Sequence, residues 1–113
     1  MAFDIRPGAG PPLAGVVFFE RREFDRLLRL YGRMVAAGEW RDYGVAGLAD
    51  SAVFSVFRHA SEEPLYRIEK RPALAQKQGA WAVIGRGGLI LKRGRDLEQV
   101  LKVFDKGRFK VVD

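Results

Sequence analysis

The sequence contains no cysteine. Disulfides, iron–sulfur clusters and thiolate zinc sites are excluded, and a reducing cytoplasm is the expected compartment. No uninterrupted apolar run approaches the ~20 residues that cross a bilayer, so no membrane partner is expected. Met1–Gly15 carries acidic Asp4 and no apolar run, which does not fit a secretory leader. Histidine occurs once, at His59, and serine three times, at Ser51, Ser55 and Ser61. No glycine-framed elbow surrounds any of these serines. His59 acts as a base only beside an organised partner, and nothing in the chain places one. Asp42 and Glu62-Glu63 lack a coordination spacing. No catalytic residue, cofactor or metal is therefore expected. Threonine and asparagine are also absent, and arginine outnumbers lysine 14 to 6. A GC-rich coding sequence produces such a bias, so the arginine count is discounted as a functional signal.

What the chain does hold is a concentrated positive charge. Pro64–Arg95 contains eight basic residues and one acid, a net of +7, while the remainder has 12 basic and 13 acidic residues. The whole excess charge of the protein thus lies in one block: Arg67, Lys70, Arg71, Lys77, Arg86, Lys92, Arg93 and Arg95. Such a field attracts anions at long range.

A chain of 113 residues is one domain with material for a core. Met1–Gly15, with Pro7, Pro11 and Pro12 among glycines, reads as a disordered tail before a single domain over 16–113. Val16–Phe19 reads as a short strand. From Arg21 to Ala37 the apolar residues Phe24, Leu27, Leu28, Tyr31, Met34 and Val35 recur at helical spacing, and Gly38 stops the helix. Gly32 inside it marks weakness or close packing. Trp40–Leu48 is a strand or a loop. Ala52–His59 and Leu65–Arg71 read as strands, and Pro72–Gly79 as a loop with at most one helical turn. Trp81–Arg86 and Leu89–Arg93 read as a hairpin across Gly87-Gly88. Asp96 and Gln99 form a capping-box pattern ahead of a helix to about Phe104, buried through Leu97, Val100, Leu101 and Phe104. Arg108–Val112 reads as a last strand. The fold class is α+β: an antiparallel sheet of four to six strands, a long N-terminal helix and a short C-terminal helix.

Strand parity sorts the charge block into faces. The simplest assignment sets Arg67, Arg71, Arg86 and Lys92 on one solvated face, with Tyr66 and Trp81 inside. That face suits phosphates, although inward aromatics argue against a base-stacking platform. A solvated sheet face with basic gatekeepers is the plain alternative. Arg93 and Arg95 precede a helix start, a position that welcomes anions, but Asp96 already supplies a negative group there. Arg22, Arg26, Arg29 and Arg33 form a stripe along the first helix, to be read first as a solvated face with local pairs. Trp40 and Tyr43 sit among charges and are candidate partner anchors.

Four blocks carry a family resemblance: Leu30–Tyr43, Val53–Arg58, Leu65–Pro72 and Leu89–Gly94. With them, the chain resembles a family of small uncharacterised alphaproteobacterial proteins, catalogued as a domain of unknown function. The resemblance runs from Val16 onward and implies a bacterial, cytoplasmic protein. It implies no activity, substrate or catalytic residue.

The sequence therefore leads to a non-catalytic binding domain with a basic sheet face for a polyanion, nucleic acid being the commonest. The alternative is a protein-interaction or homodimerisation module using Trp40, Tyr43 or a sheet edge. A small enzyme acting on an anionic substrate near Arg93, Arg95 and His59 ranks third.

Overall fold

The computed structural model describes residues 15–59 and 63–105. The tail over Met1–Gly15 lies outside the described residues except for Gly15, and so does the strand expected at Arg108–Val112.

Helix α1 spans Arg21–Ala36. Five strands follow, β1 Asp42–Gly47, β2 Ala52–Phe57, β3 Tyr66–Lys70, β4 Trp81–Gly85 and β5 Ile90–Gly94. Helix α2, Leu97–Leu101, continues as a 3-10 turn over Lys102–Phe104. The strands form one antiparallel sheet in chain order, β1-β2-β3-β4-β5. The α+β class and both helices match the sequence reading. Trp40–Leu48 resolves into a strand, because its register against β2 places Val45 beside Phe54 in the core.

Both helices pack on the same sheet face. One core cluster unites Leu27, Leu30 and Met34 of α1, Phe54, Val56, Ile68 and Val83 of the sheet, and Val100, Leu101 and Phe104. Each such side chain contributes about 1.5–3 kcal/mol on burial. Leu30, absent from the anticipated helical face, is buried, whereas Val35 is exposed. Gly38, at φ 79°, ends α1 as expected, its N–H donating to Val35 O at 2.9 Å. Gly32 has no atom within 4 Å of a would-be Cβ, so close packing is not its role.

Val16–Phe19 is not a strand. Val17 N–H donates to Leu48 O at 2.8 Å, and the chain then turns inward. Phe19 is fully buried and stacks on Trp81 at 6.1 Å, so side-chain burial replaces a ladder. Asp96 stands at the N-cap of α2 without a side-chain hydrogen bond, so the anticipated capping box does not form. Backbone bonds from Gln99 and Val100 to Asp96 O close that turn instead. The β4–β5 connection is longer than the expected two residues. Arg86, Gly87 and Gly88 form it, and φ values of 74° and 83° at the glycines explain why glycines stand there. The register then shifts between Val83 and Ile84, where a bulge leaves Leu91 as the extra residue of β5.

Among the described residues, nothing packs over the second face of the sheet. Ala82 and Ile84 are nevertheless buried there, outside the main cluster. Their cross-strand neighbours are Glu69 and Arg93 for Ala82, and Arg67 and Ile90 for Ile84. Long side chains cover apolar ground with their stems in this way.

Candidate anion-binding surface

The fold splits the charge block between two faces and a loop. Arg67, Glu69 and Arg71 share the open face, as parity implies. Arg86 leaves the sheet and stands exposed in the β4–β5 loop. Lys92 lies opposite Val83 on the helix side, and Arg93 lies opposite Ala82 on the open side. The single solvated face of Arg67, Arg71, Arg86 and Lys92 is therefore not formed. Lys92 follows its partner Val83 onto the helix side, and the bulge sets Leu91 on that side too, so alternation along β5 does not place them. Leu91 accordingly lies 3.5 Å from the site of a Gly85 Cβ.

Three members of the block are held by acids. Lys70 points between sheet and helix, donating to Glu23 Oε1 at 2.7 Å and to Phe18 O at 3.2 Å, with its ammonium 5.9 Å from the Trp81 ring. Arg71 pairs with Glu69 at 2.9 Å and with Asp50 at 3.0 Å. The hydrogen bond that Arg71 donates to Glu69 is the main cause that raises the Arg71 pKa above its ordinary value. Arg93 sits 3.9 Å from Glu69 and donates to Gly79 O at 3.2 Å. Arg67, Lys77, Arg86, Lys92 and Arg95 make no ion pair with a described residue.

The arginine stripe of α1 faces the C-terminal helix. Arg26 pairs with Glu98 at 2.5 Å and Arg33 with Asp105 at 2.8 Å. Trp40 is 3% exposed and packs perpendicular to Phe104 at 5.3 Å. Tyr43 is half-buried between Tyr31 at 4.9 Å and Phe54 at 5.1 Å. The candidate anchors Trp40 and Tyr43 are thus core residues, and their charged sequence neighbours mark the rim of that core. Burial pushes the Tyr66 hydroxyl pKa up, with Glu39 adding to it. His59 follows β2 at the Asp42 end of the sheet, whereas Arg93 and Arg95 flank Gly94 at the other end, so the three do not meet. Among the described residues no group of three or more His, Asp or Glu side chains is placed to hold a metal. None of the described helices is long and apolar enough to cross a membrane.

Two concavities line the end of the sheet where β1 begins and β2 finishes. One, of about 280 Å³, is bounded by Glu63, Pro64, Arg67 and the Gly85–Gly88 turn. The other, of about 630 Å³, is bounded by Val35, Gly38, Trp40, Arg41, Arg58 and His59. Arg41 and Arg58 escape a reading by sequence blocks, because strand pairing alone brings them together. Their one sequence signal is position, each flanking a strand at its polar end.

Searches of curated proteins and of solved structures returned no match. A family model described as "Protein of unknown function (DUF2794)" matches residues 17–101, from the segment before α1 to the end of α2. The chain therefore belongs to the DUF2794 family of proteins of unknown function.

Proposed function

We propose that this protein is a non-catalytic binding domain for a polyanion, nucleic acid being the commonest of that class, in the bacterial cytoplasm. One observation carries the reading. Five cations of the charge block, Arg67, Lys77, Arg86, Lys92 and Arg95, have no ion pair with a described residue. The block's acid, Glu69, is already spent on Arg71 and Arg93. Uncompensated arginine and lysine release condensed counterions when they meet phosphates, which supplies sequence-independent affinity. Titration of labelled duplex DNA and RNA by fluorescence anisotropy tests the reading. Each phosphate contact on duplex DNA adds about −0.9 to the log–log salt slope, so even three contacts give about 40-fold weaker binding over a fourfold rise in salt. Absence of binding at the lower salt ends the proposal.

A second reading has its own observation. Among the described strands β5 is an edge, and Leu89, Ile90 and Leu91 beside that edge are 64%, 51% and 39% exposed. An apolar edge invites pairing with another strand, here that of a second copy. Sedimentation equilibrium showing a strict monomer at high concentration removes it.

A further inference from the structure

The polyanion reading names a block of sequence, and the fold suggests a more specific place. We infer that phosphates are met at one end of the sheet, by Arg41, Arg58, His59 and Arg86 together with Arg67 where the open face reaches that end, rather than at Arg71 and Arg93 farther along the open face. This inference rests on the polyanion reading and locates its contact surface.

The register builds this end. Asp42 pairs with Phe57, Val56 with Tyr66, and Tyr66 with Gly85. Arg41, Arg58 and Arg86 each stand one residue beyond that line, at the same edge of the sheet. Arg41 N–H is fixed to Phe57 O at 2.8 Å, which ties the start of β1 to the end of β2. Three of these five residues, Arg41, Arg58 and His59, lie outside the charge block and are gathered only by folding.

The two ends of the block differ in how their charge is spent. On the open face, Arg71 and Arg93 are held by Glu69 and Asp50, so a phosphate must displace a carboxylate to reach them. At the sheet end, Arg41, Arg67 and Arg86 make no ion pair with a described residue. Among the described residues no carboxylate lines the larger concavity, and Glu63 is the one acid lining the smaller. Arg58 spends Nη1 on the Gly38 carbonyl at 3.3 Å, where it offsets the negative end of α1. Gly87 and Gly88 have nothing within 4 Å of a would-be Cβ, so a phosphate can approach their backbone.

The span is short. Three strand spacings separate β1 from β4, roughly 14 Å. That is about four phosphate steps along one strand of duplex DNA. Trp40 is buried at the floor, so the contact reads backbone and not bases.

Two charge-matched triple variants test this placement by anisotropy with a short DNA duplex at several salt concentrations. The end variant is Arg41→Gln with Arg67→Gln and Arg86→Gln. The edge variant is Lys77→Gln with Lys92→Gln and Arg95→Gln. Thermal melts confirm that each still folds, and none of the six residues has an ion pair with a described residue to lose. The end variant is expected to bind at least about tenfold more weakly, with a salt slope smaller by about 2.7, while the edge variant keeps the wild-type slope. Equal losses in both, or a loss confined to the edge variant, overturn the placement and leave the polyanion reading intact. Wild-type protein that binds anionic vesicles but no nucleic acid overturns it as well. Wild type that binds no polyanion at low salt removes both.

Discussion

Lys70 Nζ donates to Glu23 Oε1 at 2.7 Å, joining the middle of the sheet to the first turn of α1. Their side chains are 15% and 20% exposed, and Glu23 Oε1 also accepts the Glu20 N–H at 2.8 Å. One carboxylate thus caps a helix and neutralises a lysine that strand parity turns inward.

Glu23→Gln leaves Lys70 beneath α1 without its charge partner, at an expected cost of about 1.5–3 kcal/mol. A double-mutant cycle with Lys70→Met should give a coupling above about 1 kcal/mol in urea unfolding. Coupling below about 0.3 kcal/mol would class the pair with exposed ones.

Two glycines should respond with opposite sign. Gly79 has φ 106°, and a Cβ there would stand 2.3 Å from Gly94 O. Gly79→Ala forces backbone to move and should cost more than about 2 kcal/mol. Gly32 is helical, exposed and open around its would-be Cβ, so Gly32→Ala should stabilise by up to about 1 kcal/mol. Paired denaturation midpoints, one falling and one rising, check both.

The Arg26 guanidinium, hydrogen-bonded to Glu98, holds that carboxyl below its ordinary value of 4.5. The folded state therefore favours the ionised form. This contribution is complete above the ordinary value and is lost as pH falls through the lowered one. Glu98 is exposed, so the effect is small. Between about pH 6 and pH 3, Glu98→Gln should lose less stability than wild type. Parallel losses in the two proteins would contradict the pairing.

Phe104 meets Trp40 at 5.3 Å and Tyr66 at 5.1 Å, both edge to face. Phe104→Ala should cost about 3–5 kcal/mol and shift tryptophan emission to the red. A cost below about 1 kcal/mol would mean that the turn after α2 is not part of the core.

Periodicity carried much of the fold. The spacing of Leu27, Tyr31 and Met34 marked α1, and the apolar run from Ala52 marked β2, whose buried side is that of Ala52, Phe54 and Val56. The bulge had no such signal, because Leu89-Ile90-Leu91 is apolar at every position and parity has nothing to count. Alternation counted from Leu91 therefore misplaces Lys92, whose face is set by its pairing with Val83. The partners of Lys70, Arg26 and Arg33 were hidden for another reason. Glu23 lies 47 residues from Lys70, and Glu98 and Asp105 each lie 72 from their arginines. Charge counting recognises a block but cannot subtract acids that arrive from elsewhere in the chain.

The bulge also sets where this fold tolerates a change of length. Loss of Leu91 leaves Ile90 opposite Ile84 and Lys92 opposite Val83, now as consecutive pairs of an unbroken ladder. Loss of Ile90 has the same outcome, with Leu91 in its place opposite Ile84 and Lys92 and Arg93 on their present sides of the sheet. The bulge is thus the place at which this hairpin can lose one residue and keep the same electrostatic surface.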